Sequence, residues 1–397
     1  MPFRVNTDEI SERLSQLEKK KKSKPYEKQK SALHREFTTF LASLPTPKSL
    51  ASATSHDIVS FLVWKDKTGR TKVHQTDCSQ ATVDTPTCEC PTRLAAGTID
   101  SLIGKLRSIF TQAERGGSWN YELGTGNPAS HHCVTDYLRI IKEEQAQARV
   151  RPKKAVPLFM NKLEKLTSHI LSKLQTGENS PITLYILSRD LCFFCLDFFS
   201  GDRAADLSLT LSREVLFFPD KTGLLFNHTF GKTLRGDALN TFAIRRCSNL
   251  LVCPVTNFER YLSICRLTNI DLRTGYLFRN TRGNSVCEAP FSSSAVRNRL
   301  KGYLETIGID NGETPHSLRS GCAITLALLG VPHKSIAQHI GWSSTNMLDH
   351  YSDLREALRP DAPAAALAAS ATRTSIGEVS SAYKALDDVS NFSPAII

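Results

Sequence analysis

Apolar residues recur every three to four positions over much of this chain, and that period predicts helices. Leu33, Phe37, Phe40, Leu41 and Leu44 form one stripe over 31–44. Ile58, Val59, Leu62 and Val63 form a second over 56–64. Ile99, Leu102, Ile103, Leu106 and Ile109 form a third over 98–110, with Lys105 and Arg107 off the stripe. A further helix is predicted from 134 to 141, and a polar insert, 65–97, parts the second stripe from the third. Beyond residue 155 helical patterns cover 163–174, 182–199, 254–265, 293–307, 315–329 and 332–340. Pro315 and Pro332 suit first helical turns, whose N–H groups have no intrahelical acceptor. Three short runs, 215–218, 224–230 and 241–244, have strand character, and Pro219-Asp220-Lys221-Thr222-Gly223 reads as the turn between the first two.

The fold class expected is therefore mainly α with a small antiparallel β-sheet. Periodicity lapses at Arg149-Val150-Arg151-Pro152-Lys153-Lys154, which reads as a basic linker. After Pro360 the chain turns Ala- and Ser-rich without an amphipathic stripe. The expected organisation is a basic arm over 1–30, a helical domain over 31–148, the linker over 149–154, a second globular unit over 155–358 and a tail over 359–397.

Composition narrows the partner. The 397 residues hold 50 Lys and Arg against 39 Asp and Glu, a net charge of +11, which favours a polyanion. The run Lys19-Lys20-Lys21-Lys22-Ser23-Lys24 is usually a solvated helix face or arm, and is also compatible with nuclear import or phosphate contact. Eleven cysteines are scattered, an odd count that fits no disulfide framework. No apolar leader precedes them, so a reducing, intracellular setting is expected. No stretch approaches the roughly 18 apolar residues of a membrane span.

One set of residues carries chemistry. His316 and Arg319 stand three apart on one face of a predicted helix. Trp342 follows Arg319 by 23 residues, and Tyr351 follows Trp342 by nine. Upstream, Gly201-Asp202-Arg203-Ala204-Ala205-Asp206 offers a second arginine, and Gly231-Lys232-Thr233 a lysine in a turn. Direct attack of a side-chain oxygen on a phosphodiester gathers negative charge on two non-bridging oxygens, which guanidinium forks suit at any relevant pH. Arg203 and Arg319 would fill that role. Lys232 would protonate the leaving 5′-oxygen, and Tyr351 would attack and keep the bond energy in a covalent link, so that rejoining needs no nucleotide. His316 would bond the phosphate or help deprotonate the tyrosine, and Trp342 would offer its indole N–H. Taken singly, each is ordinary: a core Trp, a half-buried Tyr, an exposed turn Lys. Order and spacing together make the case. Lys221, in the preceding turn, is a rival for the lysine role.

The set resembles the catalytic signature of tyrosine recombinases, the phage-integrase superfamily. That pattern is an Arg with an acidic residue three on, a β-turn Lys, His-x-x-Arg, then His or Trp, then Tyr nine later; Arg203, Asp206, Lys232, His316, Arg319, Trp342 and Tyr351 match it in order. The resemblance spans about residues 160–355. Trp342 stands where many members carry His. The resemblance implies a tyrosine-recombinase catalytic fold preceded by a helical core-binding domain, the two lobes clamping double-stranded DNA. It implies that Asp206 buttresses the site, that the intermediate is a 3′-phosphotyrosine, and that four copies work on two DNA sites. No cofactor is expected for catalysis. Rival readings are a transposon-derived DNA-binding protein that no longer cuts, and a type IB topoisomerase, to which the His-x-x-Arg to Tyr spacing is less suited.

Weaker signals remain. His74, Cys78, Cys88 and Cys90 in the polar insert could close a structural zinc site, though their spacing is no standard finger; free thiols in a loop are the alternative. Cys192 and Cys195 lie in an apolar helix and read as core. Lys105 and Arg107, with Arg115 and Trp119 downstream, and the linker's Arg151, Lys153 and Lys154 are candidate DNA contacts. The stretch from Cys90-Pro91-Thr92-Arg93 through Gly104-Lys105-Leu106-Arg107 to Gly126-Asn127-Pro128 resembles the N-terminal region of Crypton-type transposon recombinases. That likeness favours the lysine run as a nuclear signal.

Overall fold

The computed structural model describes residues 7–22, 25–75, 78–80, 87–150, 156–231 and 240–342. The chain divides into two compact units, Met1–Lys153 and Lys154–Ile397.

The first unit is built on helices α1 (Thr7–Lys22), α2 (Pro25–Ala42), α3 (Ser55–Asp66), α4 (Ala96–Gln112) and α5 (His132–Gln147). The expected arm over 1–30 thus contains α1 and the first turns of α2, which starts six residues before the apolar stripe announces it. Pro25 supplies that start, since a proline costs nothing in a first turn. The three apolar stripes meet in one core, where Phe37 sets its ring edge-on against Phe61 and Phe110 at 5.0 and 5.9 Å. Thr54 and Asp57 form a capping box that fixes the start of α3, and Lys48 closes on Asp57 at 2.8 Å. The polar insert carries a two-stranded antiparallel ribbon, β1 (Thr71–Lys72) with β2 (Thr92–Arg93), in register Thr71 to Arg93.

The second unit is arranged round α7 (Pro181–Ser200). Almost every residue of α7 from Tyr185 to Phe198 is buried, which is why its sequence is apolar on all sides. Cys192 and Cys195 lie in that core with burial pushing both thiols upward, and all eleven cysteines are free thiols. Helices α6 (Met160–Leu174), α9 (Pro254–Leu267) and α11 (Pro315–Leu328) pack on α7. Between α7 and α9 come the one-turn helix α8 (Ala204–Leu207) and the sheet β3 (Val215–Phe217), β4 (Gly223–His228) and β5 (Asn240–Arg245), antiparallel in that order. A hairpin follows, β6 (Arg279–Arg282) with β7 (Ser285–Pro290), then α10 (Ser293–Thr306), α11 and α12 (His333–Ile340). The sequence does not announce that hairpin, because Arg279-Asn280-Thr281-Arg282 offers no apolar alternation. Among the described residues no helix is long and apolar enough to cross a membrane.

Candidate active site

Helix α7 ends at Gly201, in the left-handed region at φ +58°. A Cβ there would meet Cys322 Sγ and Ile340 Cγ1, each at 2.9 Å, so glycine is dictated twice, by backbone and by space. The chain then turns sharply. The Asp202 N–H donates to Ser200 Oγ at 3.1 Å, and Asp202 Oδ1 accepts the Arg203 N–H at 2.7 Å. Arg203 caps the start of α8, and its Nη1 lies 3.2 Å from Asp206 Oδ2. Asp206 is buried, so the pair holds a half-buried guanidinium against a carboxylate that cannot swing away.

Helix α11 supplies His316 and Arg319 from its first turns. Thr314 and Ser317 cap its start, and the Ser317 carbonyl accepts the Leu158 N–H at 2.9 Å, which locks the helix to the segment entering α6. Arg319 is 1% exposed. Its Nη1 donates to the Gly201 carbonyl at 2.6 Å and to the Ile340 carbonyl at 3.0 Å. One guanidinium therefore sits at the C-terminal, negative ends of both α7 and α12. Gly341, at φ +73°, closes α12, and the Trp342 N–H returns to the Ala337 carbonyl at 2.8 Å. That turn lays the Trp342 ring over Arg319, with the guanidinium carbon 5.2 Å from the ring centroid.

Electrostatics ties these pieces together. Burial depresses the His316 pKa below the ordinary histidine value, and the charges of Arg319 and then Arg203 depress it further. Geometry brings the two arginines to one turn, since Arg319 Nη1 holds the carbonyl of Gly201, two residues before Arg203. Behind them lies Asp197, wholly buried, with neither carboxyl oxygen hydrogen-bonded among the described residues. Burial, and then the neighbouring Asp202, push its carboxyl pKa well above the usual range; Arg319 opposes that shift.

Lys232 and Tyr351 lie outside the described residues, as do Arg151, Lys153 and Lys154. Lys232 follows directly on Gly231, just past β4. Lys221 stands before the opposite end of that strand, on the order of 20 Å from His228 at strand rise. His228 is the end of β4 that meets Asp202, so Lys221 stands at the other end of that strand.

His228 itself was missed in the sequence. Its ring lies 3.1 Å from Asp202 through Nδ1 and 2.9 Å from Thr210 Oγ1 through Nε2. The signal was there: Leu224, Phe226 and His228 alternate onto the core face of β4, and a histidine on that face needs polar partners.

In the first unit, the ligand atoms of His74, Cys78, Cys88 and Cys90 all lie within 4.8 Å of one another. Cys78 Sγ and Cys88 Sγ stand 3.4 and 3.5 Å from His74 Nδ1. Zinc–nitrogen and zinc–sulfur bonds at a tetrahedral angle set a nitrogen-to-sulfur edge of about 3.5 Å. Three thiols and an imidazole on a two-stranded ribbon thus fit a structural zinc ion. Lys105 and Arg107 are half-buried on α4, and Arg107 Nε donates to the Ala129 carbonyl at 3.0 Å. Arg115 is committed to the backbone, with Nη1 on Leu50 and Ala53 and Nη2 on Gly124.

Comparison with known proteins divides the chain in the same two parts. Residues 13–143 match the ALOG domain, and residues 246–357 match the phage integrase family. The second span holds His316, Arg319, Trp342 and Tyr351; Arg203 and Lys232 precede it. LIGHT-DEPENDENT SHORT HYPOCOTYLS 5 of Arabidopsis thaliana is 35% identical over 129 residues, 32% of this chain and 68% of that protein. G1-like7 of Oryza sativa subsp. japonica is 35% identical over the same length, and there the chain spans 58% of the relative. Among solved structures, the Tn1549 transposon integrase in complex with transposon right end DNA aligns with a TM-score of 0.51 at 14% identity, over 91% of this chain and 98% of that one. A lambda integrase dimer bound to a core site aligns at a TM-score of 0.47 and 15% identity, over 88% and 78%.

Proposed function

We propose that the chain is a tyrosine recombinase with an ALOG domain ahead of its catalytic unit, and that it cuts and rejoins double-stranded DNA through a covalent tyrosine intermediate; the match of residues 246–357 to the phage integrase family and of residues 13–143 to the ALOG domain supports the reading. One observation carries the reading: Arg319 Nη1 closes on the carbonyl of Gly201, two residues before Arg203, so two arginines from distant stretches of sequence meet at one turn.

In the proposed step the Tyr351 phenolic oxygen bonds to phosphorus and the bond from phosphorus to the 5′-oxygen breaks. Lys232 gives that oxygen its proton. The products are a 3′-phosphotyrosine and a 5′-hydroxyl; attack by a 5′-hydroxyl of a partner duplex reverses the chemistry and exchanges strands. Arg203 and Arg319 hold the two non-bridging oxygens as charge builds there. Such fixed donors typically contribute about 3 kcal/mol each. Arg319 is held by two carbonyls before substrate arrives, so it needs no reorganisation to act. His316, kept neutral by burial and by its two cationic neighbours, accepts the phenolic proton or bonds the phosphate. Trp342 packs over Arg319, and in this reading its indole N–H serves the same phosphate.

The working unit in this reading is four chains on two DNA sites, acting in a nucleus on a mobile element of Crypton type. Zinc held by His74, Cys78, Cys88 and Cys90 would cross-link the ribbon of the first unit and take no part in the chemistry. A duplex nicked beside the cleavage point tests the reading, because the short released fragment diffuses away and leaves the intermediate trapped. Wild type should yield a covalent adduct and Tyr351→Phe none. An equal adduct from the Phe variant would end the reading.

A second reading is DNA binding without cutting. It is favoured by the first unit, in which residues 13–143 match the ALOG domain and which is the part that resembles plant proteins, outside the integrase match. It entails salt-sensitive binding with no covalent product.

A further inference from the structure

We propose that His228 is a positioning residue for Arg203: through the Asp202 carboxylate it pins the catalytic turn to the end of strand β4. The assignment rests on the strand-transfer reading above.

Asp202 is 6% exposed and sits close to a second buried carboxyl, Asp197. A buried carboxylate without polar neighbours is costly, so the groups around its two oxygens matter. Oδ1 accepts the Arg203 N–H, and Oδ2 faces His228 Nδ1 at 3.1 Å. That approach has ion-pair distance without the alignment of a hydrogen bond, so its worth is mainly electrostatic. Thr210 Oγ1 engages the other ring nitrogen.

The histidine is itself held rigidly. It is 2% exposed, and the Phe226 and Phe242 rings wall it at 5.8 and 5.3 Å between centroids. The sheet fixes its backbone opposite Asn240, and Glu214 takes the N–H and hydroxyl of the next residue, Thr229. Apolar walls alone would accept a leucine; two polar partners at opposite ring nitrogens require the imidazole. The turn Gly201-Asp202-Arg203 is therefore gripped from two sides. Arg319 holds the Gly201 carbonyl, and His228 holds the Asp202 carboxylate. With the second grip lost, Asp202 turns, the Arg203 N–H loses its acceptor, and the guanidinium leaves its line to the phosphate. A misplacement of about 1 Å at a reacting group costs on the order of 10²-fold in rate.

A double-mutant cycle tests this. Single-turnover adduct formation on a nicked duplex is measured for wild type, His228→Leu, Arg203→Lys and the double variant, with His228→Gln as the conservative replacement. Melting curves establish which variants fold, and His228→Gln takes the place of the leucine variant if that one does not. The expected result is a loss on the order of 10²-fold for His228→Leu, a smaller loss for His228→Gln, and no further loss from either in the Arg203→Lys background. DNA affinity should hold within about threefold, a split a merely structural lesion would not give. Equal loss factors in both backgrounds, or an unimpaired His228→Leu, would overturn the assignment while leaving the strand-transfer reading intact. A wild-type chain that forms no adduct sinks that reading itself.

Discussion

The guanidinium of Arg319 closes on the carbonyl of Gly201 at 2.6 Å, so a side chain of α11 fixes the turn that presents Arg203. The same nitrogen reaches Ile340, and the residue thereby joins α7, α11 and α12. Catalytic and structural roles coincide in one side chain. Arg319→Lys keeps the charge and loses the planar fork. Charge-assisted hydrogen bonds contribute about 1.5–3 kcal/mol each, so the lysine variant should lose roughly 2–4 kcal/mol of stability as well as adduct formation. Urea denaturation checks this, and a variant as stable as wild type would separate the two roles.

Gly201 makes that carbonyl available. Gly201→Ala puts a side chain at φ +58° and drives its Cβ into Cys322 and Ile340. A strained left-handed residue costs of order 1–3 kcal/mol, and the clash adds to it. The variant should melt several degrees lower, whereas Gly177→Ala, also at positive φ but with open space, should pay the backbone part alone. Equal losses would show that the packing against Ile340 is unimportant.

Asp197 gives the fold a pH signature. Unfolded, its carboxyl ionises near the ordinary value of 3.8; folded, it keeps its proton well above that. Between those two values the unfolded chain has released a proton that the folded chain retains, so stability falls as pH rises. Asp197→Asn removes the dependence. Its melting temperature should exceed that of wild type at pH 8, and the gap should close as pH falls toward 4. A uniform destabilisation at all pH values would mean that the carboxyl is ionised and paired with Arg319.

The ribbon of the first unit should bind metal. Purified protein is expected to carry about one zinc per chain, and a strong chelator should lower the melting temperature of the first unit's transition. Cys88→Ser should lose the metal. Elemental analysis finding none in wild type, under reducing conditions, would leave the four residues as free groups.

How much of this was legible in the sequence depends on pattern length. The stripe Ile99, Leu102, Ile103, Leu106, Ile109 announced α4 to within a few residues, because five apolar positions fix a period. Helix α8 has four residues, too few for any period, and was invisible. The β6–β7 hairpin hid behind polar strand residues. Within the site, His316 and Arg319 declared themselves by spacing, since three residues on a helix share a face. His228 did not, because its partners Asp202 and Thr210 are brought to it by topology. Asp197 stands as a charge in an apolar run, but its burial without a hydrogen-bond partner among the described residues is a fact of packing. The four metal-ligand candidates were legible as residue types; their shared corner needed the pairing of Thr71 with Arg93.

The central claim is that one phenolic oxygen bonds to one phosphorus. Proteolysis of the trapped adduct, followed by mass spectrometry of the nucleotide-bearing peptide, tests it most directly. The account requires the DNA to be esterified to Tyr351, with loss of the linkage in Tyr351→Phe. A linkage mapped to any other residue, or no linkage on a substrate the protein demonstrably binds, contradicts it.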